Sequence, residues 1–339
     1  MNVSFNRRTF LGAAARTLGA AALAGFAPGW TLAALPSAAR TIRRSTWTMG
    51  TLIDLTLLDE GPCAPPVDAA FEALYRVDRT LSAHRMDSEL SRLNRASGQW
   101  LPAGADLLHV SRAARYYADA TGGALDVTVL PLMQAYGFID GDGTSFDPAH
   151  LLERVDYTRM RVSGDRVRLD EGMAVDFGGI AKGYAVDEAL RTLTNAGVGV
   201  ALLEAGGDVR AAGRPEPDRR WRIGIRDPLR PEALFAVLEV EDRAVATSGL
   251  YMQKRTYQSQ TVTHIINPKT GAPARHVLSA TIVAPTAMAA DALATATCVM
   301  EAKQARALIE ADPETEGLWV YADGSVFVTS GLEKSLSLL

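Results

Sequence analysis

Three short stretches of this 339-residue chain place reactive side chains at spacings that chemistry could use. In Asp176-Phe177-Gly178-Gly179-Ile180-Ala181-Lys182-Gly183 an expected strand, Met173 to Val175, meets a glycine pair and then a helical pattern. Glycines let a ligand approach the backbone, free N–H groups at a helix start favour phosphate, and Lys182 would add a cation. An ordinary tight turn with Asp176 as helix cap fits the same residues equally well. In Ala289-Ala290-Asp291-Ala292-Leu293-Ala294-Thr295-Ala296 the spacing puts Asp291 and Thr295 on one helix face. A carboxylate and a hydroxyl are hard oxygen donors that suit Mg²⁺, whose shell is usually completed by phosphate and water. An alanine-rich packing helix with a polar stripe is the plainer reading, and by local pattern the favoured one. In the third stretch His264 ends a strand before an Asn267-Pro268-Lys269-Thr270-Gly271 turn. An imidazole there is available as a general base, or simply as a partner for the turn.

Other chemistries are excluded by what is missing. The glycine stretch is neither G-x-x-x-x-G-K-[ST] nor G-x-G-x-x-G. Lys269-Thr270-Gly271 resembles a motif of serine β-lactamases, but no lysine has a serine three positions before it. Cys63 and Cys298 make no zinc-ligand spacing, and two unpaired thiols are expected. With 35 Lys and Arg against 39 Asp and Glu the net charge is -4, so no basic footprint for nucleic acid exists. A 47% hydrophobic share excludes disorder.

The elements that must position these groups follow from periodicity. A strand is predicted over Trp47–Leu58, with Met49 placed to flank a flat ring, then a helix over 67–81 with one apolar face. A second helix runs from Leu107 to Ala120, stopped by Gly122-Gly123, and a third starts beyond Gly179. Strand composition dominates after Gly197, in 201–203, 222–226, 235–240, 262–266 and 280–284. One helix is predicted over Ala287–Ala307, with Thr286 as N-cap, followed by a hairpin around Asp323-Gly324. The order lacks regular βαβ alternation, so the fold class is α+β, with helices packed on largely antiparallel sheets. Ahead of this, Arg7-Arg8-Thr9-Phe10-Leu11 and an uncharged, alanine-rich run to Ala39 have the layout of a twin-arginine export signal. An uncleaved N-terminal anchor is the alternative.

Met49-Gly50-Thr51, Ser88-Glu89-Leu90-Ser91-Arg92-Leu93-Asn94, Gly122-Gly123-Ala124-Leu125-Asp126-Val127-Thr128, the Asp176–Gly183 stretch, Glu204-Ala205-Gly206-Gly207-Asp208, Thr247-Ser248-Gly249, the His264–Gly271 stretch and the Asp291–Thr295 stretch occur in one order. In that order they resemble the ApbE family of FAD:protein FMN transferases, over essentially the whole chain from Trp47. The resemblance implies a T-fold-like α+β domain over 40–339 behind a signal at 1–39. It implies FAD as substrate, with FMN joined to a Thr or Ser hydroxyl of a target flavoprotein and AMP released. It also implies roles for residues. Asp291, Thr295 and the Gly179 carbonyl would hold Mg²⁺. Met49, His84, Ala124, Leu125, Asp126, Asp176, Lys182 and Ile265 would line the FAD site, and His264 would take the acceptor proton. His84 stands where the family commonly has an aromatic residue, often tyrosine. The expected partners are exported or membrane-bound respiratory flavoproteins, and the expected location is the periplasm. An exported FAD-binding protein, or a pyrophosphatase cutting FAD to FMN and AMP, is the alternative.

Overall fold

The structure, a computed structural model, describes residues 5–6, 40–59, 66–139 and 148–339. Residues 1–39, expected to be an export signal, lie outside these residues apart from Phe5 and Asn6, as does Cys63. Nine strands make one antiparallel sheet: β1 (Phe5–Asn6), β2 (Arg40–Thr48), β3 (Thr51–Asp59), β7 (Ala201–Ala205), β8 (Asp208–Ala212), β11 (Ala244–Gly249), β14 (Val277–Ala284), β15 (Glu316–Tyr321) and β16 (Ser325–Val328). Their spatial order is β1-β16-β15-β14-β11-β8-β7-β3-β2. The period-2 alternation of these strands feeds two separate cores. Leu202, Val209, Val245, Val283 and Leu318 face a smaller sheet made of β9 (Trp221–Asp227), β10 (Arg230–Val240) and β17 (Leu336–Leu338). Leu203, Ala246, Ile282 and Trp319 face the helices.

Three helices on that second face frame the site. They are α1 (Val67–Leu81), α6 (Ala181–Asn195) and α7 (Ala287–Thr297). In α1, Val67, Ala70, Phe71, Leu74, Val77 and Leu81 are buried at helical spacing, and each large apolar side chain so buried contributes about 1.5–3 kcal/mol. Between α1 and α6 in the chain lie α3 (Ala105–Ala120), the shorter α2 (Glu89–Arg95), α4 (Leu130–Ala135) and α5 (Pro148–Leu152), and a small sheet of β4 (Leu101–Pro102), β5 (Arg161–Ser163) and β6 (Arg166–Arg168). The β12 (Lys254–Tyr257) and β13 (Gln260–Thr263) hairpin pairs with no other strand among the described residues. No described helix is long and apolar enough to cross a membrane.

Four expected elements differ, the simplest being the strand expected over 262–266, which is observed as β13 and stops at Thr263. The strand predicted over Trp47–Leu58 is present as β3 from Thr51, but its start is the corner of a hairpin, because Met49 (φ 55) and Gly50 (φ 71) take left-handed conformations that turn β2 into β3. Residues 173–175 form no strand. The Asn94 side-chain amide donates to the Val175 carbonyl (2.9 Å) and accepts from its N–H (2.8 Å), and Asp176 N–H donates to Val127 O (2.8 Å). A side chain thus supplies the partners that a strand would have supplied. The single helix over Ala287–Ala307 is two, α7 and α8 (Ala302–Glu310). The chain tightens at its Cys298 N–H···O=C Thr295 bond (3.3 Å) and Glu301 is extended, so α8 buries Ala305 and Ile309 on its own line.

Candidate functional site

The start of α6 and the whole of α7 are locked together before any ligand is considered. A β-carbon on Gly183 would collide with the Ala287 carbonyl, so glycine is what lets α6 and α7 approach this closely. From α6, Asp187 accepts from the N–H groups of Ala287 and Met288, both at 2.9 Å. Thr286 accepts from Ala289 N–H (3.2 Å), the cap expected from the sequence. In return Asp291 Oδ2 on α7 accepts from Gly183 N–H on α6 (3.2 Å). The helix-start N–H that the sequence offered to phosphate is therefore already held by a carboxylate.

Lys182 projects from this junction towards the sheet. Its Nζ lies 2.7 Å from Asp208 Oδ2 at the start of β8 and 3.8 Å from Asp291 Oδ1. Burial pushes its pKa down, but Asp208 and Asp291 more than offset that, so the ammonium is held above its ordinary value. Burial raises Asp208, Asp291 and Asp176, and for Asp291 the like charge of Asp208 adds to it. One ammonium thus answers three desolvated carboxylates. Thr295 sits one turn beyond Asp291, its hydroxyl 3.2 Å from Ser248 Oγ on β11. A β-carbon on Gly179 would fall 3.0 Å from Thr295 Oγ1, so the glycine brings its backbone directly against that hydroxyl.

On the other side, His264 follows β13, its N–H 3.4 Å from Gln253 O. Burial pushes its pKa down to about 4, against a smaller upward pull from the Gln253 backbone. The imidazole is neutral at pH 7, and its Nδ1 is buried without a hydrogen-bond partner among the described residues. The Phe138 ring lies edge-on 6.4 Å away. Behind His264 the Asn-Pro turn forms as expected, with Lys269 N–H on Asn267 Oδ1 (2.9 Å).

Between these two sides lies a cavity of about 980 Å³, and all twelve residues singled out from the sequence line it. Met49 enters from the β2–β3 turn and exposed His84 from the loop pinned by the Ser88 hydroxyl on Ser82 O (2.7 Å). Ala124, Leu125, Asp126, Asp176, Gly179, Lys182, His264, Ile265, Asp291 and Thr295 complete the set. The Asp126 carboxylate already accepts from Thr128 N (2.8 Å), Thr128 Oγ1 (2.6 Å) and Tyr157 N (3.0 Å), so it braces the wall with oxygens that are already engaged. Asp176 does not cap α6: the N-cap is Ile180, with no side-chain cap, and burial raises Asp176 against the opposing pull of His84 and a Gly178 backbone hydrogen bond.

A family model described as the ApbE family matches residues 49–319. The chain belongs to the ApbE family. It is 32% identical over 288 residues to the FAD:protein FMN transferase of Haemophilus influenzae, covering 79% of this chain and 83% of that one. It is 30% identical over 326 residues to the FAD:protein FMN transferase of Treponema pallidum, covering 88% and 90%. Among solved structures, the flavin transferase ApbE from Vibrio cholerae superimposes with a TM-score of 0.79 at 29% identity, over 88% of this chain and 99% of that one. The ApbE protein from Thermotoga maritima does so at 0.81 and 28%, over 87% and 99%. The motif order thus led to the family, and the α+β fold with largely antiparallel sheets is the one observed.

Sequence reasoning gave no role to three residues of this ApbE-family site. Asp208 holds Lys182, Ser248 reaches Thr295, and Asp187 holds the start of α7. Asp208 and Ser248 lie in quoted motifs, so a signal was present. Asp187 carried none, since its partners are 100 and 101 residues away.

Proposed function

We propose that this chain is a FAD:protein FMN transferase, which moves FMN from FAD onto a threonine or serine hydroxyl of a flavoprotein and releases AMP. The observation that carries it is the convergence of twelve dispersed residues on one cavity, with an oxygen-donor and ammonium floor opposite a neutral histidine. Its volume, about 980 Å³, is at the upper end of ordinary ligand sites, roughly 300–1,000 Å³, which suits a dinucleotide.

The reaction needs an attacking oxygen, a proton acceptor and compensation for phosphate charge. The acceptor hydroxyl bonds to the FMN-side phosphorus, the bond from that phosphorus to the bridging oxygen breaks, and AMP leaves with that oxygen. His264 takes the hydroxyl proton: it is unprotonated at pH 7, and negative phosphate beside it would raise its proton affinity during the reaction. Lys182 faces the phosphates, and Met49, His84, Ile265 and the 124–126 wall orient the flavin and adenine ends.

The floor fits Mg²⁺. Asp291 and Thr295 are hard oxygen donors one turn apart, and the Gly179 backbone packs against Thr295, from where its carbonyl would be the third donor. Among the described residues no cluster of three or more His, Cys, Asp or Glu forms a metal cage, which suits an ion completed by substrate phosphate and water. Held by Asp291, Thr295 and Gly179, such an ion would supply positive charge against the pyrophosphate and the leaving AMP. The acceptor belongs to exported or membrane-bound respiratory flavoproteins, and residues 1–39 act as a twin-arginine signal that places the enzyme in the periplasm. Recovery in the cytoplasm, or export that ignores an Arg7→Lys/Arg8→Lys change, would reject that placement.

The deciding experiment incubates the protein with FAD, Mg²⁺ and a flavoprotein acceptor, and reads acceptor mass and free AMP. FMN on the acceptor supports the proposal. FAD returned intact leaves a binding protein, and AMP with unmodified acceptor means hydrolysis.

A further inference from the structure

From Arg243 to Ala290 the chain has no Asp or Glu, yet it carries Arg243, Lys254, Arg255, Lys269 and Arg275. In a protein of net charge -4 this is a concentrated reversal of sign, and His264 lies in the middle of it. Lys254, Arg255, Lys269 and Arg275 are exposed, and none forms an ion pair among the described residues. Elsewhere on this surface arginines are routinely paired, as Arg76 is with Asp106 and Glu188 and Arg214 with Glu241.

The geometry gives these charges a place. A second cavity of about 570 Å³ has Lys254 and Arg275 in its lining, with Leu229, Tyr251 and Thr263 and no carboxylate at all. Only a thin wall of chain separates it from the main cavity. Gly249, Met252, Gln253 and His264 line the main one, while their neighbours Leu250, Tyr251, Lys254 and Thr263 line the second. The next cation along β12, exposed Arg255, lies over the Phe138 ring (6.0 Å), and Phe138 lines the main cavity. Leu229, in the lining of the same cavity as Lys254 and Arg275, is 48% exposed. Exposed cations around an apolar anchor, with no carboxylate among them, match a partner segment with acidic side chains.

We propose that this groove is where the acceptor protein docks, through an acidic segment next to the hydroxyl that receives FMN. The inference rests on the transferase reading and names the chemistry of the partner. Exposed charge pairs are individually weak and screened by salt, so the groove governs encounter and acceptor KM.

The test titrates the full chain with two short fluorescent peptides, each with one central threonine, whose flanks are Asp and Glu in one and Gln in the other. At low salt the acidic peptide should bind on the order of tenfold more tightly, an advantage that salt removes. Lys254→Glu/Arg275→Glu should abolish that advantage without changing FAD affinity, while Arg166→Glu, on the distant small sheet, should keep it. Equal binding of the two peptides overturns the inference. So does an equal loss in Arg166→Glu, or a parallel loss of FAD affinity, which would assign these cations to the dinucleotide. The transferase reading is scored separately by AMP release and FMN mass on an acceptor flavoprotein. Transfer indifferent to the double charge reversal overturns the docking groove alone, and FAD recovered whole overturns the reading beneath it.

Discussion

At the floor of the cavity three carboxylates, Asp176, Asp208 and Asp291, share one ammonium, that of Lys182, in a desolvated setting. At its rim the strand pair leading to His264 carries Lys254 and Arg255 in water, with no carboxylate from Arg243 to Ala290. The floor is short of positive charge and the rim short of negative charge. Burial makes the first deficit strong and local, because desolvated carboxylates resist ionising and favour a nearby cation. Exposure makes the second weak and long-ranged, as suits a partner that must arrive and leave. An acidic protein handling an anionic substrate has divided the problem between a buried cation site and an exposed basic approach.

Replacing floor oxygens should have the largest effect. Asp291→Ala should lower FMN transfer by about 10³-fold or more, since metal-type charge compensation supplies several kcal/mol. Transfer assays across Mg²⁺ concentrations check this, and near-normal rates at ordinary Mg²⁺ would mean the floor does not hold the ion. His264→Ala comes next, with transfer down about 10²-fold or more and FAD affinity retained. Because burial holds His264 near 4, kcat/KM should show no loss from its protonation until pH falls below about 5. An acid limb near 6.5 that vanishes in His264→Gln would contradict that burial.

A smaller effect comes from Glu204, opposite Asp54 across the β3–β7 pair. Burial raises it to about 7, Asp54 and Asp208 add to the rise, and the Gly207 N–H opposes it. A carboxyl raised in the folded state binds protons that the unfolded chain has released, so its contribution is present below about 4.5 and fades as pH rises through 7. Allowing for partial exposure, Glu204→Gln should gain on the order of 1–2 kcal/mol at pH 8 and nothing at pH 4, read by urea unfolding. Equal effects at both pH values would show that the carboxyl is hydrated. Smallest is Asp187→Ala, which uncaps α7 and should cost about 1 kcal/mol of stability, with a higher Mg²⁺ requirement. Lost stability with unchanged Mg²⁺ dependence would separate the helix clamp from the floor.

Much of this site was legible because its residues lie in short motifs with internal logic. Asp291 and Thr295 share a face by helix spacing, and the Asn267–Gly271 turn follows from its residue types. What escaped depends on long-range partners. Residues 173–175 have strand composition, but only the distant Asn94 decides that their hydrogen bonds go to a side chain. The break at Cys298 is equally invisible, since neither Gly nor Pro marks it and the second helix is placed by burying Ala305 and Ile309.

The sequence by itself determined the element types, through periods of 2 and 3.6, and the family, through the order of its motifs. Only the tertiary structure decided what each acid is for. Asp126 and Asp291 both sit in apolar stretches, and both are buried. The first spends its oxygens on three donors from its own wall, whereas the second meets one N–H and an ammonium shared with Asp208. The reason is physical: the state of a buried charge is set by the partners that desolvation leaves it, and those come from elsewhere in the chain.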